Sequence, residues 1–443
     1  MRRRHQIPRF RQRLLFGLWL LLCAAALLYF GTNPSWGRIK ARHSNKLIVL
    51  DVGYFGYACF DTYRSIRNWI AEAGLALADA EDYRSYLSKI RTRRATTPRA
   101  AATPQRKHVI YLQMESVDGI SVTADYQGEP VMPFLKSLTK RSIFLRNALD
   151  NSSSGRTTDG EFLALCSLPP IAGKPAYTNY ELDKIPSMPR TLNAAGYYTF
   201  SLHGNNSNFW NRGNAHQSLG YKDSFYFDTL DQSERIGWGI SDESALKQAA
   251  LKIKAAASDG PVFAHLILLT NHHPYHHVGE RLGEPKNDLA LDHIDSIRYV
   301  DRSIQSFFES LESFGILEDC VIAIFSDHDS AIEPLLKKAY TNEDPPICKD
   351  TIPVILYGLD RPAKTYYKMA GLQDVPVIVL DSLGIEIPHT FTGNTLDTTL
   401  PTLNPKGLSY FIEEQSLHKR PIPVNVSDLT KLALRYPEKL QPK

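Results

Sequence analysis

His108-Val-Ile-Tyr-Leu-Gln-Met-Glu-Ser116 is a nearly unbroken apolar run that stops on a carboxylate and a hydroxyl. A short run rich in β-branched and aromatic residues reads as a strand covered on both faces. Working outward, the same form recurs at residues 197–202, followed by His203, and at 262–269, followed by His272. It appears again at 320–326, which runs into Asp327-His328, and at 352–357. Apolar residues at helical spacing fall between these runs, as at 291–314 and 374–383. This alternation predicts an α/β fold with a largely parallel central sheet and helices on both faces. Ligands of such sheets bind outside the carboxyl ends of the strands, where Glu115, His203, His272 and the Asp327-His328 pair stand.

The segment Asn151-Ser-Ser-Ser-Gly-Arg-Thr-Thr-Asp-Gly-Glu-Phe162 supplies the hydroxyls. It reads as a helix start, with Thr158 as N-cap and Glu161 completing a capping box. The free N–H groups of a helix N-terminus favour a bound anion, so a threonine there is placed to attack a phosphodiester. Glu115 at a strand end is costly to bury without donors or a cation. Together with Asp327, His328 and a hydroxyl it makes a four-coordinate O/N site for one divalent ion. Coordination would lower the hydroxyl pKa, which suits displacement at phosphorus or sulfur.

Two further segments are chemically dense. His203-Gly-Asn-Asn-Ser-Asn-Phe-Trp-Asn-Arg212 combines turn formers with Arg212, able to clamp phosphate oxygens, and Trp210, able to cover a small bound alcohol. Thr270-Asn-His-His-Pro-Tyr-His-His277 holds four histidines. Composition alone would suggest metal storage, but one histidine after the strand suffices as proton donor or oxyanion partner.

The chain has 443 residues, 43% of them hydrophobic, enough for one large α/β domain or two smaller ones. Its net charge of +4 is small, and much of the basic excess is the arginine cluster before residue 14, so nucleic acid is not an expected partner. Residues 14–31 carry no charge and are long enough to span a bilayer. Residues 1–13 are then a cytoplasmic tail and 14–31 a single anchor, in preference to a cleaved signal peptide. The rest lies outside, in the periplasm or cell exterior of a bacterium. Residues 32–107 read as a juxtamembrane region, helical at 61–78, and a basic Ala/Thr/Pro linker. Residues 108–420 read as the catalytic domain and 421–443 as a surface tail. The five cysteines show no C-x-x-C spacing, and no disulfide pairing follows from their positions.

The segments Gly155–Phe162, His203–Arg212, Asn271–Tyr275 and Ser326–His328 occur in the order and approximate spacing of the lipoteichoic acid synthase and phosphoglycerol transferase group, within the alkaline phosphatase and sulfatase superfamily. The chain resembles that group from about residue 108 to 383. The resemblance implies Glu115, Asp327 and His328 as metal ligands, with Thr157 as nucleophile and fourth ligand. By the same match His203, Trp210, Arg212 and His272 hold the head group, and Asn205 stands where an acidic residue is expected. The group's properties imply Mn²⁺ as the ion, with Mg²⁺ or Zn²⁺ as alternatives, phosphatidylglycerol as donor and an envelope glycan as acceptor. A sulfatase would carry C/S-x-P-x-R, which is lacking around Thr157. The expected activity is therefore phosphoglycerol transfer through a threonine intermediate, with a phosphodiesterase, phosphatase or sulfatase-like hydrolase, or a phosphoethanolamine transferase, as alternatives.

Overall fold

The computed structural model describes residues 80–96 and 107–442, apart from 285, 342–345, 348, 399–401, 407, 414–415 and 423, together with 17, 21, 24, 49, 53–54, 56–63 and 66. The chain divides into two units, 1–79 and 80–443. In the first, the described residues 56–63 are helical. The expected anchor at 14–31 lies almost wholly outside the described residues; of the linker expected at 91–107, residues 91–96 are instead the last turns of a helix, Glu81–Thr96, and 97–106 lie outside the described residues. Among the described residues no helix is long and apolar enough to cross a membrane.

The second unit is built on a nine-stranded sheet. Its strands are β1 (His108–Met114), β2 (Ile143–Leu149), β3 (Tyr198–His203), β4 (Asp223–Phe225), β5 (Val262–Ile267), β6 (Cys320–Ser326), β7 (Thr351–Ile352), β8 (Val354–Tyr357) and β9 (Lys364–Gly371). The helices used below are α1 (Glu81–Thr96), α2 (Thr157–Cys166), α3 (Arg212–Leu219), α4 (Asp242–Ala257), α5 (Leu289–Ser313), α6 (Asp374–Ser382) and α7 (Val426–Arg435).

The α/β class holds, but the sheet is mixed. β6, β1, β5, β3 and β4 run parallel in that order, and this half carries the expected site residues. Beyond β6 the order turns antiparallel, with β8 pairing both β6 and β2. β7 pairs the same strand β2 further along, and β9 rejoins β2 in parallel. Residues 351–357 are one strand interrupted at Pro353, which has no N–H to give to the ladder. β2 escapes a reading of the sequence because Arg146 and Asn147 break its apolar pattern. Both are buried and engaged by the fold: Arg146 donates to the Gly119 carbonyl at 3.3 Å, and Asn147 to the Tyr367 carbonyl at 2.7 Å.

Strand alternation puts Ile110, Leu112 and Met114 on one face, where they join apolar residues of α4 and α5 in the main core. Tyr111 and Gln113 face the other way, Tyr111 edge-on to Phe263 and Phe325. That second face is polar further along: Gln113 meets His265 at 3.0 Å, and Ser201 meets His216 of α3 at 2.8 Å.

The compact unit extends past both expected edges, 108 and 420. α1 docks on it: Leu87 and Ile90 are buried, and Arg94 donates to the Phe391 and Gly393 carbonyls at 2.7 and 2.9 Å. The expected surface tail contains α7, which buries Val426, Leu429 and Leu432 and bonds Pro169 through Thr430 at 2.8 Å. Its apolar residues recur at helical spacing, a signal that the Pro and Lys content of the segment obscures.

Candidate active site

β1 and β6 are paired in register, so Met114 lies beside Ser326, and their loops leave the sheet together. The junction is locked by cross-bonds. Ser116 N donates to Asp327 Oδ1 at 3.1 Å, Asp327 N to the Met114 carbonyl at 3.1 Å, and Val117 N to Ser326 Oγ at 2.8 Å. Ser116 adopts φ 55°, a left-handed turn that ends the strand and swings Glu115 toward the neighbouring loop. From the opposite side Asn271 Nδ2 donates to the Glu115 and Ser116 carbonyls at 2.8 and 3.2 Å, and His293 of α5 meets the Ser116 carbonyl at 3.0 Å. Asp242, at the start of α4, accepts from Leu269 N and Thr270 N at 2.8 and 3.1 Å and so holds the loop bearing Asn271 and His272.

Glu115, Asp327 and His328 converge, with ligand atoms within 4.8 Å of one another. His328 Nε2 lies 3.2 Å from Glu115 Oε1, and Thr157 Oγ1 lies 3.5 Å from Glu115 Oε2. Asp327 Oδ2 is buried with no hydrogen-bond partner. An orphaned carboxylate oxygen beside a second carboxylate and an imidazole is what a cation would satisfy. His328 Nδ1 is 2.7 Å from the Asp329 carbonyl, which fixes the proton there and leaves Nε2 as the ligand atom. Arg156 reinforces this loop, donating to the Asp329 carbonyl at 2.6 Å and carboxylate at 2.7 Å. Taken as protein groups alone, the cluster holds protons. Burial and the charge of Glu115 push the Asp327 carboxyl up. Burial opposes the His328 charge, but Asp327 and Glu115 raise it to about 10. Burial also works against the charge on Glu115, yet the neighbouring His328, with help from His272, holds its carboxyl below the usual range. A divalent ion replaces those protons without changing the donor set, so the residues present fit one.

α2 begins at Thr157, one residue ahead of the cap expected at Thr158: Arg156 is the N-cap, at φ 41° and ψ −104°, and makes no side-chain capping bond. Thr158 instead donates to the Gly155 carbonyl at 3.2 Å. Asp159 turns back to accept from Ser153 N, Gly155 N and Ala176 N at 3.0, 2.9 and 3.0 Å, fixing the loop before the helix. Gly160, unremarked in the sequence, allows the helix to approach: a Cβ there would lie 2.4 Å from the Asp327 carbonyl oxygen.

Glu161 completes no capping box. It is fully buried against Arg212, with Oε1 2.6 Å from Nη2, and its Oε2 lies 3.1 Å from His216 Nε2. Arg212, expected to clamp phosphate oxygens, is engaged by Glu161 at its Nε and Nη2, and its Nη1 lacks a hydrogen-bond partner. Its guanidinium joins α2 to the 203–212 loop. His203 is buried with Nδ1 3.1 Å from the Ile267 carbonyl and Nε2 unpartnered; burial and the nearby Arg212 push it down to about 3, so it is neutral. Trp210 and His272 are joined by a chain of rings. Phe209 lies 6.2 Å from Trp210 and 5.9 Å from Trp238, and Trp238 lies 4.3 Å from His272. Trp238, in the turn between Arg235–Ile236 and Gly239–Ile240, is 46% exposed and was not signalled by any pattern in the sequence. Among the described cysteines Cys59, Cys166 and Cys320 are free.

The model of the Sulfatase family matches residues 107–386. The chain is 24% identical over 352 residues to lipoteichoic acid synthase 2 of Bacillus subtilis, covering 76% of this chain and 54% of that protein. It is 28% identical over 399 residues to lipoteichoic acid synthase of Staphylococcus saprophyticus, covering 83% and 59%. The chain thus spans little more than half the length of these curated relatives. Among solved structures it is similar to the lipoteichoic acid synthase LtaP from Listeria monocytogenes, with TM-score 0.66 and 20% identity over 80% of this chain and 96% of that one. It is also similar in fold to the Streptococcus pyogenes phosphoglycerol transferase GacH in complex with sn-glycerol-1-phosphate, with TM-score 0.51 and 17% identity over 70% and 82%.

Proposed function

We propose that this chain, which belongs to the sulfatase family, is a phosphotransferase that moves glycerol phosphate from phosphatidylglycerol to an envelope glycan. The observation that supports the reading is the convergence of Glu115, Asp327 and His328, with Asp327 Oδ2 buried and unpartnered and with Thr157, the first residue of α2, 3.5 Å from Glu115. These four side chains would hold one divalent cation, Mn²⁺ foremost, because a donor set of oxygens with one imidazole suits a hard to borderline ion. When bound, the ion supplies the positive charge that lowers the pKa of the hydroxyl and balances the phosphoryl oxygens. The lipoteichoic acid synthases and the phosphoglycerol transferase among the similar proteins support the choice of head group.

Thr157 sits where unpaired helix N–H groups and the helix dipole favour an anion. Its oxygen bonds phosphorus as the bond from phosphorus to the diacylglycerol oxygen breaks. The hydroxyl proton ends on diacylglycerol, and His272 is the side chain proposed to carry it. In the second step an acceptor hydroxyl bonds the same phosphorus, Thr157 leaves, and the acceptor's proton returns to it. His203 is neutral and offers an acceptor nitrogen to a glycerol hydroxyl, while the Trp210–Phe209 pair covers the apolar edge of the head group. An anchor at residues 14–31 would hold this domain against the outer surface of the cytoplasmic membrane, where its lipid donor resides.

The test is incubation of the full chain with phosphatidylglycerol and Mn²⁺. The expected products are diacylglycerol and a glycerophosphoryl group on the peptide containing Thr157, both lost in Thr157→Ala. Hydrolysis of simple phosphate or sulfate esters with no diacylglycerol released would overturn the reading in favour of a hydrolase.

A further inference from the structure

The histidine-rich segment is only partly used by the site above, which takes His272 and Asn271. Further along, His276, His277 and Glu280 gather as a second group with ligand atoms within 4.8 Å of one another. His276 caps a short helix, His277–Leu282, and the Glu280 N–H bonds the His276 carbonyl at 2.9 Å, so the two side chains lie one turn apart on the same face. Each carboxylate oxygen faces a different imidazole: Glu280 Oε1 lies 2.9 Å from His276 Nδ1, and Oε2 lies 3.5 Å from His277 Nδ1. The two rings are 4.4 Å apart and inclined at 57°, so they converge on the carboxylate rather than stack flat.

An intrahelical ion pair is one account of such a trio, and a metal ion shared by the three side chains is the other. His276 Nδ1 is buried and close to the carboxylate, yet makes no hydrogen bond. Zinc bonds imidazole nitrogen and carboxylate oxygen at about 2.0–2.2 Å, so tetrahedral donors stand about 3.3–3.5 Å apart; the His277–Glu280 distance of 3.5 Å matches this, and the His276–Glu280 distance of 2.9 Å needs a small outward shift of the half-exposed carboxylate. Half-exposed Glu280 leaves room for a water as fourth ligand. The site is also supported from behind, since a Cβ on Gly237 would meet His277 Cδ2 at 2.6 Å, which shows how closely the 235–240 hairpin backs that ring.

We propose that His276, His277 and Glu280 form a second metal site, selective for Zn²⁺ over Mg²⁺ and Mn²⁺. Two imidazoles and one carboxylate are a softer set than the two carboxylates, hydroxyl and single imidazole at the strand ends, so the two sites sort cations by ligand type. The proposal does not depend on the transferase reading, because its readout is metal content.

The full chain, stripped with a chelator and dialysed against Zn²⁺ with excess Mg²⁺, is assayed for bound zinc by elemental analysis. The variants His276→Ala/His277→Ala and Glu280→Gln are compared with Asp327→Asn. The expected result is that Asp327→Asn retains one equivalent of zinc, that the double histidine variant loses that equivalent, and that Glu280→Gln, which preserves volume, weakens its binding at least about tenfold. Failure of Asp327→Asn to retain zinc, or zinc content and affinity unchanged in both 276–280 variants, would overturn it. Circular dichroism of the variants separates loss of metal from loss of fold.

Discussion

Gly160→Ala tests how the helix and the metal-ligand loop are matched. In an ordinary helix interior alanine is better than glycine by about 1 kcal/mol, so helix propensity alone predicts stabilisation. Here the added methyl would sit 2.4 Å from the Asp327 carbonyl oxygen and 2.9 Å from its Cα, against an ordinary contact of at least 3.4 Å. About 1 Å of separation between α2 and the 327–328 loop must be found. Overpacking of this kind usually costs about 1–3 kcal/mol, so the net change is a destabilisation of up to about 2 kcal/mol. The larger effect falls on the ion, because metal–ligand distances tolerate only about 0.2 Å and Thr157 and Asp327 lie on the two elements forced apart. The expected outcome is a modest fall in the urea midpoint with at least about a tenfold loss of Mn²⁺ affinity, read by titration calorimetry. A variant more stable than the parent with unchanged Mn²⁺ affinity would refute the argument that this contact sets the site.

Arg212→Met leaves Glu161 buried with only His216 beside it, and should destabilise by about 3–5 kcal/mol in urea. In the parent, burial is outweighed by Arg212 and His216, so Glu161 is held well below the ordinary carboxylate range. Its stabilising contribution is present above the unfolded pKa of about 4.3 and fades as pH falls below it. Without Arg212 burial raises the group, and the gap between variant and parent should widen from pH 4 to 7; a gap independent of pH would show that Glu161 is not its source. Asp118 behaves oppositely: burial, against the Ser330 hydroxyl bond, raises it to about 7. Stability stored in its protonated form is present below the unfolded pKa of about 3.9 and lost as pH rises toward 7, so Asp118→Asn should flatten that part of the urea midpoint profile. Thr158→Ala should retain diacylglycerol release while losing at most about 1 kcal/mol, because its hydroxyl bonds the Gly155 carbonyl and not the Glu115 cluster; loss of turnover there instead of in Thr157→Ala would move the nucleophile by one residue.

Much of the architecture is legible in the linear chain. The strands at 108–114 and 320–326 and the long helix at 289–313 follow from continuous apolar runs and from helical spacing, which report burial directly. The antiparallel half of the sheet is not legible there. β2 carries Arg146 and Asn147 within it, and their partners, Gly119, Thr123 and Tyr367, are supplied by segments a sequence pattern does not connect. α7 is hidden in the same way, by a composition that suggests a solvated tail while its apolar residues dock on the unit.

For the site the division is similar. Residue chemistry alone nominated Glu115, Asp327, His328 and a threonine near the start of a helix, because ligand-type side chains at the ends of apolar strands are costly to place there without a use. It also nominated Arg212 as a side chain able to clamp phosphate oxygens. Which anion it meets was decided in three dimensions: Glu161, 51 residues away, lies 2.6 Å from it. The approach that Gly160 permits, the hold of Asn271 and His293 on the 115–116 carbonyls, and the placing of Trp238 against His272 are likewise properties of the packed chain. Side-chain type and periodicity are local and survive in a linear reading, whereas the pairing of buried charges and the distances that define an ion site arise only when distant segments exclude water together.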